Sequence, residues 1–270
     1  MDDQQRLAAY VEVWRQAIDD LVALLESLPE EDWSRPTDLP GWDVRAVASH
    51  IAHLEGILAG GPEESADIGE PEHVTGFLGQ YTEIGVVNRR ELPPVEIVEE
   101  IRQAAKTRYA TLQADPPTDA SAKPEVIFGG VPWDWETLLR NRPLDVWMHD
   151  QDVRRAIDRP GGMDGEPARH TAEYLAESLG FVLAKKAGAA PGTTAVLEMA
   201  GSEPFVFTVN DAGRGERLPV APPSPDVTLR MDRESFVRLA GGRRAEPDRV
   251  VVEGDAQLGR RIIDSLAVTP

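Results

Sequence analysis

The chain has 270 residues, of which 41% are hydrophobic and 28% are charged. This composition is typical of a soluble globular protein, and the length is sufficient for two domains. The 47 acidic residues against 28 basic ones give a net charge of −19, which disfavours binding to nucleic acid or to an anionic membrane, because both require clustered Lys and Arg.

The sequence contains no cysteine, which excludes disulfides, a cysteine nucleophile and a thiolate metal cluster. Any thiol that takes part in chemistry must therefore arrive on a bound cofactor. No segment has the ~20 consecutive apolar residues of a membrane span, and the first residues do not have the pattern of a signal peptide. We therefore expect a cytoplasmic protein, either a monomer or a homodimer.

Up to about residue 188 the pattern predicts helices and no strand. Apolar residues repeat with a helical period from Gln4 to Leu28, and Asp43 is a favourable N-cap for a helix from Val44 to about Ala59. Further helical patterns cover residues 72–88, 94–113, about 133–159 and 167–187. Pro143 lies inside the segment 133–159, so that helix is expected to kink or to restart there, because an interior proline costs about 3 kcal/mol. Long helices with short connections predict a four-helix bundle.

From about residue 189 the pattern changes to short strands. Strand patterns cover residues 193–199, 204–210, 226–231 and 250–252, with a turn at 211–213. Asp232 and Asp255 are favourable N-caps for two short helices, the first of which ends at Gly241. These elements predict a small α+β domain with a mainly antiparallel sheet. We therefore divide the chain into a helical bundle, residues 1–188, and an α+β domain, residues 189–270.

Four polar side chains lie at helical spacing in the fifth predicted helix. Arg142, Asp145, His149 and Asp152 are three or four residues apart and therefore share one stripe. Asp145 and His149, one turn apart, can reach the same ion, and the second helix offers His50 and His53 as candidates for a third ligand. Two imidazoles and one carboxylate suit Zn²⁺ with an open fourth position, or Fe²⁺ and similar ions.

Each of these residues also has a reading without a metal. His50 lies at the border of a buried helix face and could be a hydrogen-bonded core residue, and Asp145 with His149 could be a surface ion pair. Asp152 is either a partner for an imidazole N–H or a solvated acid. His53, one turn after His50, is expected to be more exposed. We interpret the tryptophans of this region as core residues: Trp42, Trp133, Trp135 and Trp147.

Two motifs resemble those of a known family. Gly41-Trp42-Asp43-Val44-Arg45, followed by His50, resembles the opening signature of the mycothiol-dependent maleylpyruvate isomerase family, in which Gly-Trp-Thr-Val-Arg-Asp precedes a metal-binding His. The stripe from Arg142 to Asp152 resembles the family's second signature, and residues 250–259 resemble its C-terminal domain. This resemblance implies a DinB-like four-helix bundle followed by a small α+β sterol-carrier-like domain.

The resemblance also implies a ligand set and a reaction. His50, Asp145 and His149 would hold a divalent metal, zinc before others, and mycothiol would be the thiol cosubstrate. Addition of the thiolate to an activated double bond, rotation and departure would isomerise a small maleylpyruvate-like electrophile, whereas stopping after addition or displacement would make the chain a thiol S-transferase. Arg142 would be the catalytic cation that holds a carboxylate, or else a partner of Asp145.

One departure from the family pattern bears on this site. The family's usual carboxylate is Glu, and Asp145 is shorter by one methylene, about 1.5 Å of reach. His53 or Asp152 could then take part in the site. Two other functions fit the same architecture: a non-catalytic small-ligand or lipid-binding protein, and a DinB-like metal-dependent hydrolase.

Overall fold

The computed structural model describes residues 1–245 and 249–269, and the chain divides into two compact units, Met1–His170 and Thr171–Pro270. The first unit is helical, and the second contains a five-stranded sheet. The predicted fold class, a helical region followed by a small α+β domain, is confirmed. The sequence-based domain boundary after residue 188 lies later in the chain than this division, and as a boundary between independent domains it stays a prediction.

The first unit contains five helices: four long ones form a bundle, and the third in chain order lies against the side of that bundle. The helices are α1 (Asp3–Glu26), α2 (Val44–Leu58), α3 (Gly76–Asn88), α4 (Pro94–Ala114) and α5 (Trp135–Ala156). α1 packs against α4 and α5, α2 also packs against α4 and α5, and α3 lies against α2. The apolar stripe that predicted α1 is its buried face, and each large side chain buried there stabilises the fold by roughly 1.5–3 kcal/mol relative to its exposed state.

The helix that contains Pro143 is continuous. α5 runs from Trp135 to Ala156 with Pro143 in its interior, so the predicted alternative of a restart at Pro143 is wrong. The proline removes one backbone hydrogen bond, but the helix buries side chains on both sides of it, and this packing outweighs a local cost of about 3 kcal/mol. The stripe from residue 142 to residue 152 therefore lies on one uninterrupted helix.

The predicted helix over residues 167–187 is interrupted. α6 (Glu166–Ala176) ends before Ser178, and the chain continues as a single turn, α7 (Leu179–Phe181), followed by a π-helical turn, Val182–Lys186. α7 packs against two strands of the sheet in the second unit. Apolar periodicity does not reveal such a break, because the residues on both sides of it are buried.

The sheet of the second unit has the strand order β3-β2-β1-β4-β5. Its strands are β1 (Thr194–Met199), β2 (Phe205–Val209), β3 (Gly215–Leu218), β4 (Val227–Met231) and β5 (Val251–Gly254). β1 pairs in parallel with β4, and every other pairing is antiparallel. The sequence pattern did not predict β3. It is a short edge strand whose first residues are exposed, so it lacks an alternation of apolar and polar residues.

The two short helices of the second unit begin where the sequence predicts. Asp232 caps α8 (Arg233–Ala240) and Asp255 caps α9 (Ala256–Asp264), each by accepting backbone N–H groups of the first turn. Phe236, Leu258 and Ile262 are buried among the residues of this unit. Among the described residues, no helix has both the length and the apolar character needed to cross a membrane.

Candidate metal centre

α2 carries His50 on its buried side. The helix begins at Asp43, whose carboxylate accepts a hydrogen bond from the backbone N–H of Ala46 at 2.8 Å. His50 lies two turns further along the helix and is only 3% exposed. The expected position of His50, at the buried face of α2, is confirmed.

α5 presents Asp145 and His149 to the same place. Asp134 caps this helix through the backbone N–H of Thr137, and the two ligand candidates follow one turn apart. His149 is buried, and the Asp145 side chain retains 23% of its exposure. Asp145 and His149 are therefore not the solvated surface pair that spacing alone allowed.

The three side chains converge across the two helices. His50 Nε2 lies 3.4 Å from Asp145 Oδ2, and His149 Nε2 lies 3.7 Å from Asp145 Oδ1. One ligand atom from each residue can be chosen so that all lie within 4.8 Å of one another. Ligand atoms around a tetrahedral Zn²⁺, at about 2.0–2.1 Å from it, are themselves about 3.3 Å apart. The two distances from the imidazoles to the Asp145 carboxylate are close to this spacing, and the three side chains are near enough to share one cation.

Hydrogen bonds do not account for this convergence. Within residues 1–245 and 249–269, neither ring nitrogen of His50 has a hydrogen-bond partner, and neither does Asp145 Oδ2. The 3.4 Å approach of His50 to Asp145 is thus a contact without hydrogen-bond alignment. Buried polar atoms normally have partners, so the unpaired imidazole nitrogens of His50 beside a carboxylate are the pattern expected of a cation site. The residues present fit a divalent metal.

The protonation states favour ligation at neutral pH. Burial lowers the pKa of His50 to about 4, although the Asp145 carboxylate acts in the opposite direction. Burial raises the pKa of Asp145, but the positive charge of the Arg142 guanidinium outweighs it and holds that pKa well below its usual range. His50 is therefore a neutral imidazole with a free lone pair, and Asp145 is a carboxylate.

Asp152 orients the second imidazole. His149 Nδ1 lies 3.1 Å from Asp152 Oδ2, and Asp152 is fully buried. Arg155 binds the other oxygen of Asp152 and also pairs with Asp38 at 3.1 Å. With Nδ1–H donated to this carboxylate, the lone pair of His149 Nε2 points toward Asp145. Asp152 is thus the imidazole partner that the sequence offered as one alternative, not a solvated acid.

Arg142 is buried in ion pairs. Its Nε and Nη2 donate to Glu55 Oε1 at 2.9 and 2.8 Å, and its Nη1 lies 3.0 Å from Asp145 Oδ2. The side chain has no exposed surface. The expected alternative of a salt bridge to Asp145 is therefore what the structure contains, while a direct catalytic role for Arg142 stays a prediction.

His53 does not join the three ligand candidates. It was expected to be more exposed than His50, and this is wrong, because His53 has 0% exposure. α3 covers this face of α2, and the Tyr81 ring lies 5.2 Å from the His53 ring. The sequence did not show that a fifth helix would pack here.

Trp42 lies beside the two imidazoles. Its ring centroid is 5.2 Å from that of His50 and 6.1 Å from that of His149. Its indole N–H donates to Glu83 at 2.9 Å, which fixes the ring. The interpretation of Trp42 as an ordinary core residue is wrong, since it is half-buried and forms a wall of the site; Trp147 is a core residue, and Trp133 and Trp135 pack partly buried against the core.

Sequence reasoning missed Glu55. This residue is fully buried on α2 and accepts hydrogen bonds from three other helices of the bundle. The signal was present, because Glu55 occupies the same face as Ile51 and Leu58, where an acid needs a buried partner.

Comparisons with known proteins agree with this architecture. A family profile described as the mycothiol maleylpyruvate isomerase N-terminal domain matches residues 14–154, and one described as the MDMPI C-terminal domain matches residues 169–261. Two uncharacterised proteins of Mycobacterium tuberculosis, from strains CDC 1551 / Oshkosh and ATCC 25618 / H37Rv, are 25% identical over 149 residues, which is 53% of this chain. The chain spans about half the length of these curated relatives, 54% of each.

Solved structures share the fold. The crystal structure of a mycothiol-dependent maleylpyruvate isomerase superposes with a TM-score of 0.54 at 17% identity, and that of a histidine-to-alanine mutant with a TM-score of 0.53 at 16% identity. Each match covers 94% of this chain and 96% of the other. Since the N-terminal profile alone spans more than half of the sequence, the chain belongs to the mycothiol maleylpyruvate isomerase family.

Proposed function

We propose that this chain is a metal-dependent, mycothiol-dependent isomerase or thiol S-transferase that acts on a small electrophile resembling maleylpyruvate. The observation that carries the proposal is the convergence of His50, Asp145 and His149, in which both ring nitrogens of His50 lack a hydrogen-bond partner among the described residues. Family membership supports mycothiol as the cosubstrate. The absence of cysteine from the sequence agrees with a thiol that is brought in by a small molecule.

We propose these three side chains as the ligands of one divalent ion, zinc before others. Two imidazoles and one carboxylate, without thiolate, are typical of catalytic rather than structural zinc sites. When bound, such an ion supplies Lewis acidity and holds a coordinated thiol deprotonated at neutral pH, where a free thiol of pKa ~8.5 is mostly protonated.

The remaining residues hold this site in shape. Asp152 keeps the proton of His149 on Nδ1, so that Nε2 is the ligand atom. Arg142 keeps Asp145 ionised and turned toward the imidazoles. Because Arg142 is buried and engaged, we propose it as a positioning residue in place of the expected catalytic role in holding a substrate carboxylate. Trp42 packs beside both imidazole rings.

Metal content and thiol dependence test the proposal. The purified protein should contain about one equivalent of zinc, and His149→Ala should lose it while the circular dichroism spectrum of the fold is unchanged. Isomerisation of maleylpyruvate should require added mycothiol and should disappear in His149→Ala. A matched control is His170→Ala, because His170 lies in the same unit but bonds the backbone carbonyl of Arg140 instead of the ligand set.

The other two candidate functions give different results. A non-catalytic small-ligand or lipid-binding protein would contain no stoichiometric metal and show no thiol-dependent turnover. A metal-dependent hydrolase would contain the metal but turn over without mycothiol. The cytoplasmic location and the choice between monomer and homodimer stay predictions.

A further inference from the structure

A buried ion cluster lies next to the proposed metal ligands. It consists of Glu55, Arg108, Arg142 and Asp145, and the first three of these have at most 3% exposure. Each of the helices α2, α4 and α5 contributes a charge to it. Removing ions from water costs several kcal/mol per ion unless partners compensate it, so the arrangement of these charges is tightly constrained.

Glu55 is the centre of this cluster. Its Oε1 accepts from Arg142 Nε and Nη2 at 2.9 and 2.8 Å and from Trp14 Nε1 at 3.1 Å. Its Oε2 accepts from Arg108 Nη1 at 2.9 Å, and the Arg108 guanidinium lies over the Trp14 ring at 4.6 Å. Both carboxylate oxygens of Glu55 are therefore committed.

The Arg142 guanidinium contacts two carboxylates, those of Glu55 and Asp145. One edge of the guanidinium, Nε with Nη2, is aligned on Glu55, and only Nη1 approaches Asp145. Within the described part of the chain, Nη1 and Asp145 Oδ2 have no aligned hydrogen-bond partner. The positive charge of Arg142 therefore lies close to Asp145, but the two side chains do not form the bidentate pair that Arg commonly makes with a carboxylate.

We propose that Glu55 is a positioning residue that keeps Asp145 available as a metal ligand by engaging one edge of the Arg142 guanidinium, so that only Nη1 approaches Asp145. The inference rests on the proposed metal centre and deepens it. Without the negative charge of Glu55, Arg142 is free to form two hydrogen bonds with the Asp145 carboxylate. It would then compete with the metal ion for the oxygens of Asp145. The cluster would also change from two positive and two negative charges to an excess of one positive charge beside a cation site.

Two substitutions that break the same Glu55–Arg108 ion pair test this role in opposite directions. Glu55→Gln removes a negative charge and should lower the affinity for Zn²⁺ and Co²⁺ by about 10–100-fold, the range for partners that orient metal ligands. Arg108→Met removes a positive charge, leaves Arg142 with Glu55, and should leave the affinity unchanged or raise it. Both variants should lower the denaturation midpoint of the metal-free protein, because each leaves a buried charge with less compensation.

Affinity is measured by competition with a chelator, and the visible spectrum of bound Co²⁺ reports whether the ligand set is intact. Equal losses of affinity in the two variants would show a merely structural role and overturn the inference, as would a wild-type affinity and spectrum in Glu55→Gln. If Glu55→Gln does not fold, Glu55→Asp replaces it, since it keeps the charge but shortens the reach toward Arg142 by one methylene and should weaken binding by a smaller factor. Unchanged binding there also overturns the inference. Failure of the wild-type chain itself to bind Zn²⁺ or Co²⁺ would instead refute the metal centre.

Discussion

The ion pair between Arg142 and Asp145 gives the metal-free protein a measurable stability. In many metal sites, removing a carboxylate ligand relieves repulsion among the ligands. Here Asp145 is the only acid among the three ligand candidates, and a guanidinium faces it. We therefore expect Asp145→Asn to destabilise the metal-free protein in addition to abolishing tight metal binding.

The size of the effect follows from the geometry. At the observed 3.0 Å between Arg142 Nη1 and Asp145 Oδ2, two unit charges attract by about 5–6 kcal/mol at an effective dielectric constant of about 20. The cost of desolvating Asp145 offsets part of this attraction. Breaking a buried pair costs about 3–5 kcal/mol, and the lower end applies here, because Arg142 keeps Glu55 as a partner. Asparagine has nearly the same volume as aspartate, so no cavity adds to the loss.

Urea denaturation in the presence of a chelator measures this loss. Asp150→Asn on the same helix is a matched control, since burial raises the pKa of Asp150 and its partner Arg154 is partly exposed. That control should change the free energy of unfolding little, whereas Asp145→Asn should lower it by about 3 kcal/mol. A metal-free Asp145→Asn protein that is as stable as the wild type, or more stable, would refute the assignment of this pair.

Three further predictions concern the surroundings of the site. Asp152→Asn should weaken Zn²⁺ binding about 10–100-fold in a chelator competition, because His149 loses the carboxylate that orients it; an unchanged affinity would remove Asp152 from the site. Gly85→Ala should destabilise the protein by about 1–3 kcal/mol in urea denaturation, because a Cβ at this position would lie 2.3 Å from His53 Cβ. Gly79→Ala on the same helix is the control and should not destabilise the protein, because the nearest neighbour of its Cβ is 3.7 Å away. Burial lowers the pKa of His53 below 6.5, so only the unfolded chain gains its proton as the pH falls through 6.5, and stability is lost in that direction. His53→Gln should therefore reduce the slope of metal-free stability between pH 7 and 5, and an unaltered slope would contradict the burial argument.

Much of the geometry of the candidate site follows from the sequence because the relevant information is local. Asp145 and His149 lie one turn apart on a helix, and a helix fixes such a spacing whatever surrounds it. The burial of His50 follows from the apolar residues around it on α2. The pairing of Asp152 with His149 is also a contact within one helix, so the sequence offered it as an alternative.

Contacts between helices were much less accessible. Glu55 meets Trp14, Arg108 and Arg142 from three other helices, and no spacing within α2 identifies those partners. His53 was misjudged because α3, a helix outside the bundle, covers it. The partners of a charged residue on a buried helix face come from neighbouring helices, and their identity depends on how all helices of the bundle pack together.

By itself, the sequence determined most of the helical and strand segments, the change of architecture toward the C-terminus, and the two helix faces that carry the ligand candidates. Each of these depends on hydrophobic periodicity and on capping residues, which act over a few neighbouring positions. Only the tertiary structure decided that His50 lies 3.4 Å from Asp145 and that Arg142 is shared between Glu55 and Asp145. Those distances depend on how α2 and α5 pack together with α1 and α4, and the same sequence pattern is compatible with many rotations of one helix against another.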